Sequence, residues 1–280
     1  MIELTNLGFS YSNSEKLFEN IELKLDNGGI CGLLGKNGAG KTTLLKILAG
    51  LIFPADGSCT VLGQTPANRQ PSFLEDIYFL PEDLYVPALT AEQYLQFYAS
   101  FYPRFDAASF KIFQKEFAIP GNKLLTEFSH GQKKKFLIAF GLATNCRIVI
   151  LDEPTNGLDI PSKAQFRKLL VSAITDDKLF IISTHQVHDI ENLIDNIVIL
   201  DEGKIIFQKN LFEITNHLAF IQQQNIPDTL SCLYYEKNIH GYNAIIENHQ
   251  DLDTHVDLEM LFNAIISNKN AIKNAFKEEK

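Results

Sequence analysis

The octapeptide Gly35-Lys36-Asn37-Gly38-Ala39-Gly40-Lys41-Thr42 satisfies the pattern GxxxxGK[ST] at every fixed position. Glycines carry no Cβ, so successive backbone N–H groups can converge on phosphate oxygens. A helix starting at the end of such a loop adds the positive end of its dipole. In that geometry Lys41 brings a charge to the β- and γ-phosphates, and the Thr42 hydroxyl can ligate Mg²⁺. Gly35, Asn37, Gly38, Ala39, Gly40, Lys41, Thr42 and Thr43 are therefore the expected nucleotide-binding residues. At ordinary glycine frequencies a coincidental match in one chain has odds on the order of one per cent, so a Gly-rich turn of no function is the weaker reading.

A second group, Asp152-Glu153, ends the apolar run Ile148-Val149-Ile150-Leu151. Parallel sheets bring the carboxyl ends of their strands to one edge, where ligands bind. One carboxylate there can hold Mg²⁺, usually through water, while the other orients or deprotonates an attacking water. Alone, an acidic pair at a strand end reads as solvated turn residues. Downstream of a phosphate loop it reads as catalytic.

For these groups to meet, the chain must supply a buried sheet. Residues 30–34, 77–80, 148–151, 179–183 and 197–200 are apolar runs without alternation, suited to strands covered on both faces. The run at 30–34 leads into the phosphate loop, and a helix over 43–49 leaves it and stops at Gly50. Residues 2–8, 21–26 (ending at Asn27-Gly28-Gly29) and 58–63 read as strands of a separate N-terminal sheet.

From about 87 to 142 strand signals cease. Helices are expected over 89–101, with Thr90 as N-cap, and over 105–117. The aromatic residues Tyr94, Phe97, Tyr98, Phe101, Tyr102, Phe105, Phe110, Phe113 and Phe117 pack these helices, or in part form an exposed docking surface. Beyond 209 the spacing predicts a helix over 212–224, strands over 230–236 and 242–247 around His240-Gly241, and a helix over 258–276 capped by Asp257.

The net charge of −9 over 280 residues makes nucleic acid an unexpected partner, since phosphate contacts need surplus Lys and Arg. Cys31, Cys59, Cys146 and Cys232 lie far apart with no metal-binding spacing and read as reduced; Cys31 and Cys146 adjoin core strands as packing residues. The start of the chain shows no signal peptide, and no run approaches the ~18 apolar residues of a membrane span. The expectation is a chain soluble when isolated.

Phe128-Ser129-His130-Gly131-Gln132 resembles the LSGGQ signature of the ATP-binding-cassette (ABC) family, and lies upstream of the Asp-Glu strand as that family requires. Leu151-Asp152-Glu153-Pro154-Thr155-Asn156-Gly157-Leu158-Asp159 is similar to its Mg²⁺/base strand and D-loop. Ile182-Ser183-Thr184-His185 is similar to its switch-histidine strand, and Tyr11 falls where an aromatic residue meets adenine. Five motifs in order make the likeness specific over about residues 1–208.

The resemblance implies an α/β fold. Its parts are a P-loop NTPase ABC-ATPase core with a mixed or parallel sheet, an N-terminal antiparallel β subdomain and an inserted helical subdomain at about 87–142. A small C-terminal α+β appendage at 209–280 follows the cassette of 1–208. The cofactors implied are ATP and Mg²⁺. Asp152 would help hold Mg²⁺, Glu153 would be the general base, and His185 would contact the γ-phosphate. Ser129, Gly131 and Gln132, with Asp159, would complete the site of an opposing subunit. A lone phosphate loop leaves one side of the γ-phosphate open, and donors at a helix start on another chain could close it.

Two positions depart from the pattern. Glu82 stands where Gln is usual; it could still offer an oxygen to Mg²⁺ or water, but carries a charge toward the phosphates. His130 and Phe128 replace the first glycine and the leucine of the signature. Lys133-Lys134-Lys135 reads as a solvated helix face, with an anion or membrane-surface role as the alternative. His185 and His188 lack a third partner for a metal.

The function these features imply is the ATPase subunit of an ABC transporter. Two such subunits, as homodimer or heterodimer, would work head to tail at the cytoplasmic face of the membrane and drive a separate permease, with export expected. Two alternatives stay open: a soluble ABC-type ATPase of translation or DNA repair, and a regulatory ATP clamp. Neither paired cassettes nor long coiled coils are visible for the former, and Glu153 with His185 speaks against the latter. A small-molecule P-loop kinase would leave the signature and D-loop unexplained.

Overall fold

The computed structural model describes residues 1–12, 15–26, 28–226, 232–250 and 252–276. The alternating N-terminal residues form β1 (Ile2–Ser12) and β2 (Glu15–Leu25), an antiparallel pair with Leu4 opposite Leu23 and Phe9 opposite Phe18. Both strands run longer than their alternation suggested. After β3 (Gly29–Leu34) and α1 (Lys41–Leu48), β4 (Asp56–Val61) returns to pair with β1, giving the sheet order β2-β1-β4. Asn27, expected in the turn before β3, lies outside the described residues.

A short helix α2 (Pro71–Leu74) leads into β5 (Ile77–Leu80). Three helices follow: α3 (Ala91–Tyr98, extended by a 3₁₀ turn at Ala99–Phe101), α4 (Ala107–Glu116) and α5 (His130–Ala143). Thr90 caps α3 in a reciprocal capping box with Gln93, as its sequence context led us to expect. Then come β6 (Ile148–Asp152), α6 (Ile160–Ala173), β7 (Leu179–Thr184), β8 (Asn196–Asp201) and β9 (Lys204–Asn210).

The central sheet has the order β5-β6-β7-β3-β8-β9. Its first five strands are parallel, and β9 is an antiparallel edge that the sequence reading did not mark as a strand. This order sets β3 between β7 and β8 and sets β6 beside β7. The residues following β3, β5, β6 and β7 consequently emerge along one edge.

The unalternating strands have a simple cause. Within β6, Ile148 and Ile150 face a core shared with α1 and the antiparallel sheet, while Val149 and Leu151 face a core built with α3 to α6. Phe136 of α5 is buried among Tyr94, Phe110 and Phe128, with ring centroids 5.1, 6.0 and 6.5 Å away. Most of the aromatic residues between 94 and 117 thus pack the helices. Phe97 and Phe101 instead remain exposed.

The C-terminal elements are α7 (Leu211–His217), β10 (Leu218–Gln223), β11 (Cys232–Asn238), β12 (Gly241–Glu247), α8 (Leu258–Ser267) and α9 (Lys269–Asn274). Two helices expected here are corrected. The helix over 212–224 ends at His217, and residues 218–223 form an edge strand that pairs with β12, with Leu218 and Ala219 fully buried. The helix over 258–276 begins at its expected cap, Asp257, but breaks at Asn268. Asn268 leaves helical geometry (φ −146°, ψ 70°), and its side chain caps the next helix at Ala271 N–H. Leu230 and Ser231, expected in a strand, lie outside the described residues.

The C-terminal sheet and α8 share a continuous core with the central sheet, through Ile245, Leu261 and Ile265. Polar ties join them as well. His188, after β7, contacts both Glu191 and Glu259 of α8, and His255 reaches Asn192 at 3.0 Å. His188 is therefore held between two carboxylates. Among the described residues no helix is long and apolar enough to cross a membrane.

Candidate nucleotide site

The loop between β3 and α1 keeps its shape through glycines at positive φ. Gly38 (φ 81°) and Gly40 (φ 106°) take left-handed backbone conformations, of the kind that let neighbouring N–H groups converge on an anion. A Cβ on Gly40 would also lie 2.6 Å from the Phe18 ring, so the position excludes any side chain twice over. Ala39 is buried under the loop, its N–H bonded to Lys36 O at 3.2 Å. Lys41 folds back under the loop and donates to the carbonyl oxygens of Gly35 (2.7 Å) and Lys36 (3.2 Å). Burial lowers its pKa, and the carboxylates of Glu153, Asp152 and Glu82 pull it back up.

Across the cavity, Asp152 is fully buried and each of its oxygens has a partner. Thr42 Oγ1 donates to Oδ2 at 2.7 Å and Ser183 Oγ to Oδ1 at 2.5 Å. Glu153 follows with φ 49°, a left-handed conformation rare outside glycine. Its N–H is held by Ser183 Oγ at 3.0 Å, and its Oε1 lies 2.9 Å from His185 Nδ1 and 3.9 Å from Lys41 Nζ. The exposed Tyr11 ring meets Phe9 edge-on at 4.9 Å, and its hydroxyl reaches Thr43 Oγ1 at 2.9 Å.

These residues line one open cavity of about 610 Å³: Tyr11, Asn37, Gly38, the 40–43 stretch, Glu82, Asp152, Glu153 and His185. Gly35 lies just outside, packed so closely under Leu200 that a Cβ would meet its carbonyl at 2.4 Å. Glu82 accepts from Asn156 Nδ2 at 3.1 Å, so the departure from Gln is built into the wall of the cavity. Among the described residues no group of three His, Cys, Asp or Glu side chains could hold a metal. Mg²⁺ needs no such cage, since it commonly keeps waters and takes one or two carboxylates plus phosphate oxygens. The Thr42 hydroxyl and the adjacent Asp152 carboxylate fit that demand.

Beside Gly35 and Ala39, four further expected residues do not line this cavity. Ser129 caps α5 in a capping box with Gln132: Gln132 N–H donates to Ser129 Oγ (3.2 Å) and Ser129 N–H to Gln132 Oε1 (3.0 Å). Gly131 follows in the same turn, and Asp159 caps α6 by accepting from Ser162 N–H at 2.9 Å. The signature turn lies against the D-loop turn, where a Cβ on Gly157 would meet His130 Cδ2 at 3.1 Å.

Sequence reasoning passed over Ser183, Asn156 and Leu17, which hold Asp152 and Glu153, contact Glu82 and line the cavity respectively. It also misplaced Lys134. The middle lysine of the expected solvated run is fully buried and donates to Glu153 O (2.9 Å) and Asn156 O (2.8 Å). Its partners are backbone carbonyls distant in sequence, which no local pattern announces.

The family model described as "ABC transporter" matches residues 18–156. The ABC transporter ATP-binding protein YtrB of Bacillus subtilis is 28% identical, over 81% of this chain and 82% of that one. The SkfA peptide export ATP-binding protein SkfE of the same organism is 30% identical, over 73% of this chain and 87% of that one. A solved dimeric ATP-binding cassette in a post-hydrolysis state, bound to ADP and Pi, superposes with a TM-score of 0.66 at 23% identity, covering 75% of this chain and 99% of that one.

Proposed function

Because the chain belongs to the ABC transporter family, we propose that it binds and hydrolyses ATP as one of two head-to-tail subunits that drive a separate membrane permease. The observation that carries this is the division of the expected residues. The phosphate loop, Asp152, Glu153, His185 and Tyr11 share one cavity, while Ser129, Gly131, Gln132 and Asp159 lie outside it, Ser129 and Asp159 exposed and the other two half-buried.

In this reading the Asn37–Thr43 turn cradles the phosphates and Tyr11 stacks on the adenine. Lys41 exchanges its loop carbonyls for phosphate oxygens, a substitution that puts its charge against the charge of the substrate. Thr42 and Asp152 would hold Mg²⁺, which would supply Lewis-acid stabilisation of the phosphate charge. Glu82 contributes an oxygen at the rim. Glu153 takes the proton of the attacking water as a P–O bond forms at the γ-phosphorus and the bond to the β-phosphate oxygen breaks. His185, 2.9 Å from Glu153, contacts the γ-phosphate and keeps the base in place. ADP and phosphate leave. Ser129, Gly131, Gln132 and Asp159 close the site of the opposing copy, whether that is identical or a related chain.

We divide the chain into a cassette at 1–208, with a helical part at about 87–142, and an accessory unit at 209–280. The permease docks where the helical part meets the core. An apolar groove of about 650 Å³ lies there, lined by Leu51, Phe79, Tyr98 and Phe101 among others. Phe101 is 67% exposed, a large apolar surface in need of a cover. Export is supported by the likeness to a relative named for peptide export, and the working place is the cytoplasmic face of the membrane.

The test is Glu153→Gln, which keeps shape and removes the base. Turnover should fall at least a hundredfold, the scale of general-base catalysis, with an ATP-dependent dimer accumulating in size-exclusion chromatography. Unchanged turnover would refute the assigned base, and co-purification without any polytopic membrane protein would refute the permease.

A further inference from the structure

A lysine ammonium in a protein interior is costly unless its charge and its donors are matched. Lys134 is fully buried, and two of its N–H bonds go to the carbonyl oxygens of Glu153 and Asn156. Those carbonyls belong to the turn that carries the proposed base. Glu153 holds a left-handed φ of 49°, which is unfavourable for a side-chain-bearing residue and persists only where its surroundings enforce it. Ser183 of β7 grips Glu153 by its N–H, and Lys134 of α5 grips it by its C=O.

The network does not end there. Asn156, whose carbonyl Lys134 holds, donates its side-chain amide to Glu82 at 3.1 Å. The three carboxylates of Glu82, Glu153 and Asp152 all act on Lys134, opposing the burial that lowers its pKa. A carboxylate at 82 thus comes with a buried ammonium one residue away in the network.

We propose that Lys134 is a positioning residue for ATP hydrolysis, which fixes the backbone of Glu153 and balances the charge that Glu82 brings to the site. The proposal rests on the ATPase reading above. It predicts that Glu82 and Lys134 are energetically coupled, by charge and by the hydrogen bonds that run between them through Asn156.

The test is a double-mutant cycle in the full chain, using Lys134→Met, Glu82→Gln and the double variant. ATP turnover and the affinity for a fluorescent ATP analogue are measured for each, beside wild type and E153Q. K134M should lower kcat about tenfold or more while affinity changes less than about threefold, the pattern of an interaction felt in the transition state. In the double variant, E82Q should restore at least about threefold of the lost kcat, because the unbalanced carboxylate is gone. A merely structural lysine gives a different result: kcat falls in parallel with thermal stability, and E82Q adds its own loss without rescue. That outcome, or K134M turnover within twofold of wild type, overturns the proposal. Absence of turnover in the wild type would instead remove the ATPase reading on which it rests.

Discussion

Ser183→Ala separates the framework of the site from its chemistry. Ser183 Oγ donates to Asp152 Oδ1 at 2.5 Å and accepts the Glu153 N–H at 3.0 Å, in a spot with no solvent to replace it. Alanine removes both bonds, but the losses are unequal. The Glu153 N–H also points at Ser183 O at 3.2 Å, and alanine keeps that carbonyl. The cost therefore falls on the buried carboxylate, for which a hydrogen bond to a charged group contributes about 1.5–3 kcal/mol.

The protein contains no tryptophan, so urea unfolding is best followed by far-UV circular dichroism. With a urea slope of about 3 kcal/mol per molar, the midpoint should drop by roughly 0.5–1 M. Ser172→Ala serves as the comparison: that hydroxyl donates to Leu169 O, at 2.7 Å within its own helix, and its loss should cost less than about 1 kcal/mol. Asp152 freed from one of its two restraints should also need roughly tenfold more Mg²⁺ for half-maximal turnover, the usual scale for losing the partner of a metal ligand. If S183A matched S172A in midpoint and wild type in Mg²⁺ dependence, the reasoning would fail.

Two further outcomes are expected. Gly40→Ala should abolish binding of a fluorescent ATP analogue, while Gly38→Ala should weaken it less. Both positions have positive φ, but only at Gly40 would the Cβ strike Phe18, so equal losses would show that loop space is not the deciding factor. The docking of α8 should depend on pH through His188. Partial burial opposes its charge, but Glu191 and Glu259 raise its pKa above the ordinary 6.5. A raised folded-state value means the contribution is complete below pH 6.5 and is lost as pH rises through that value. The protection factors of the α8 amides, with the base-catalysed intrinsic rate divided out, should therefore fall as pH rises in the wild type, and His188→Gln should remove that fall.

What could be read in advance follows from how local each cause is. The phosphate loop is written in consecutive residues, and the buried strands announce themselves because two cores, one on each face, require apolar residues at every position. Residues 218–223 escaped because their partner strand begins only at Gly241, and an isolated Leu-Ala-Phe-Ile run fits a helix as readily. The break at Asn268 could have been suspected from the polar run Ser267-Asn268-Lys269-Asn270, which favours a cap over a helix interior. Lys134 could not, because residue type speaks for the surface and only the tertiary carbonyls of 153 and 156 speak against it. The likeness to a known family supplied the pairing of Ser129, Gly131, Gln132 and Asp159 with a second subunit; no periodicity in this chain contains it.

The cap at Ser129 gives the signature turn a chemical polarity. Its oxygen already accepts the Gln132 N–H, which leaves the hydroxyl able to donate its own proton elsewhere. The first-turn N–H groups beside it have no acceptor within the helix, as at the start of any α-helix. The turn thus offers donors outward. So does the phosphate loop, with its backbone N–H groups and Lys41. Two such surfaces brought face to face in a dimer would repel one another, and an acceptor-rich anion between them reverses the sign of the encounter. The proposed assembly would then be a lock whose two halves are mutually aversive, with an acceptor-rich anion as the part that both recognise.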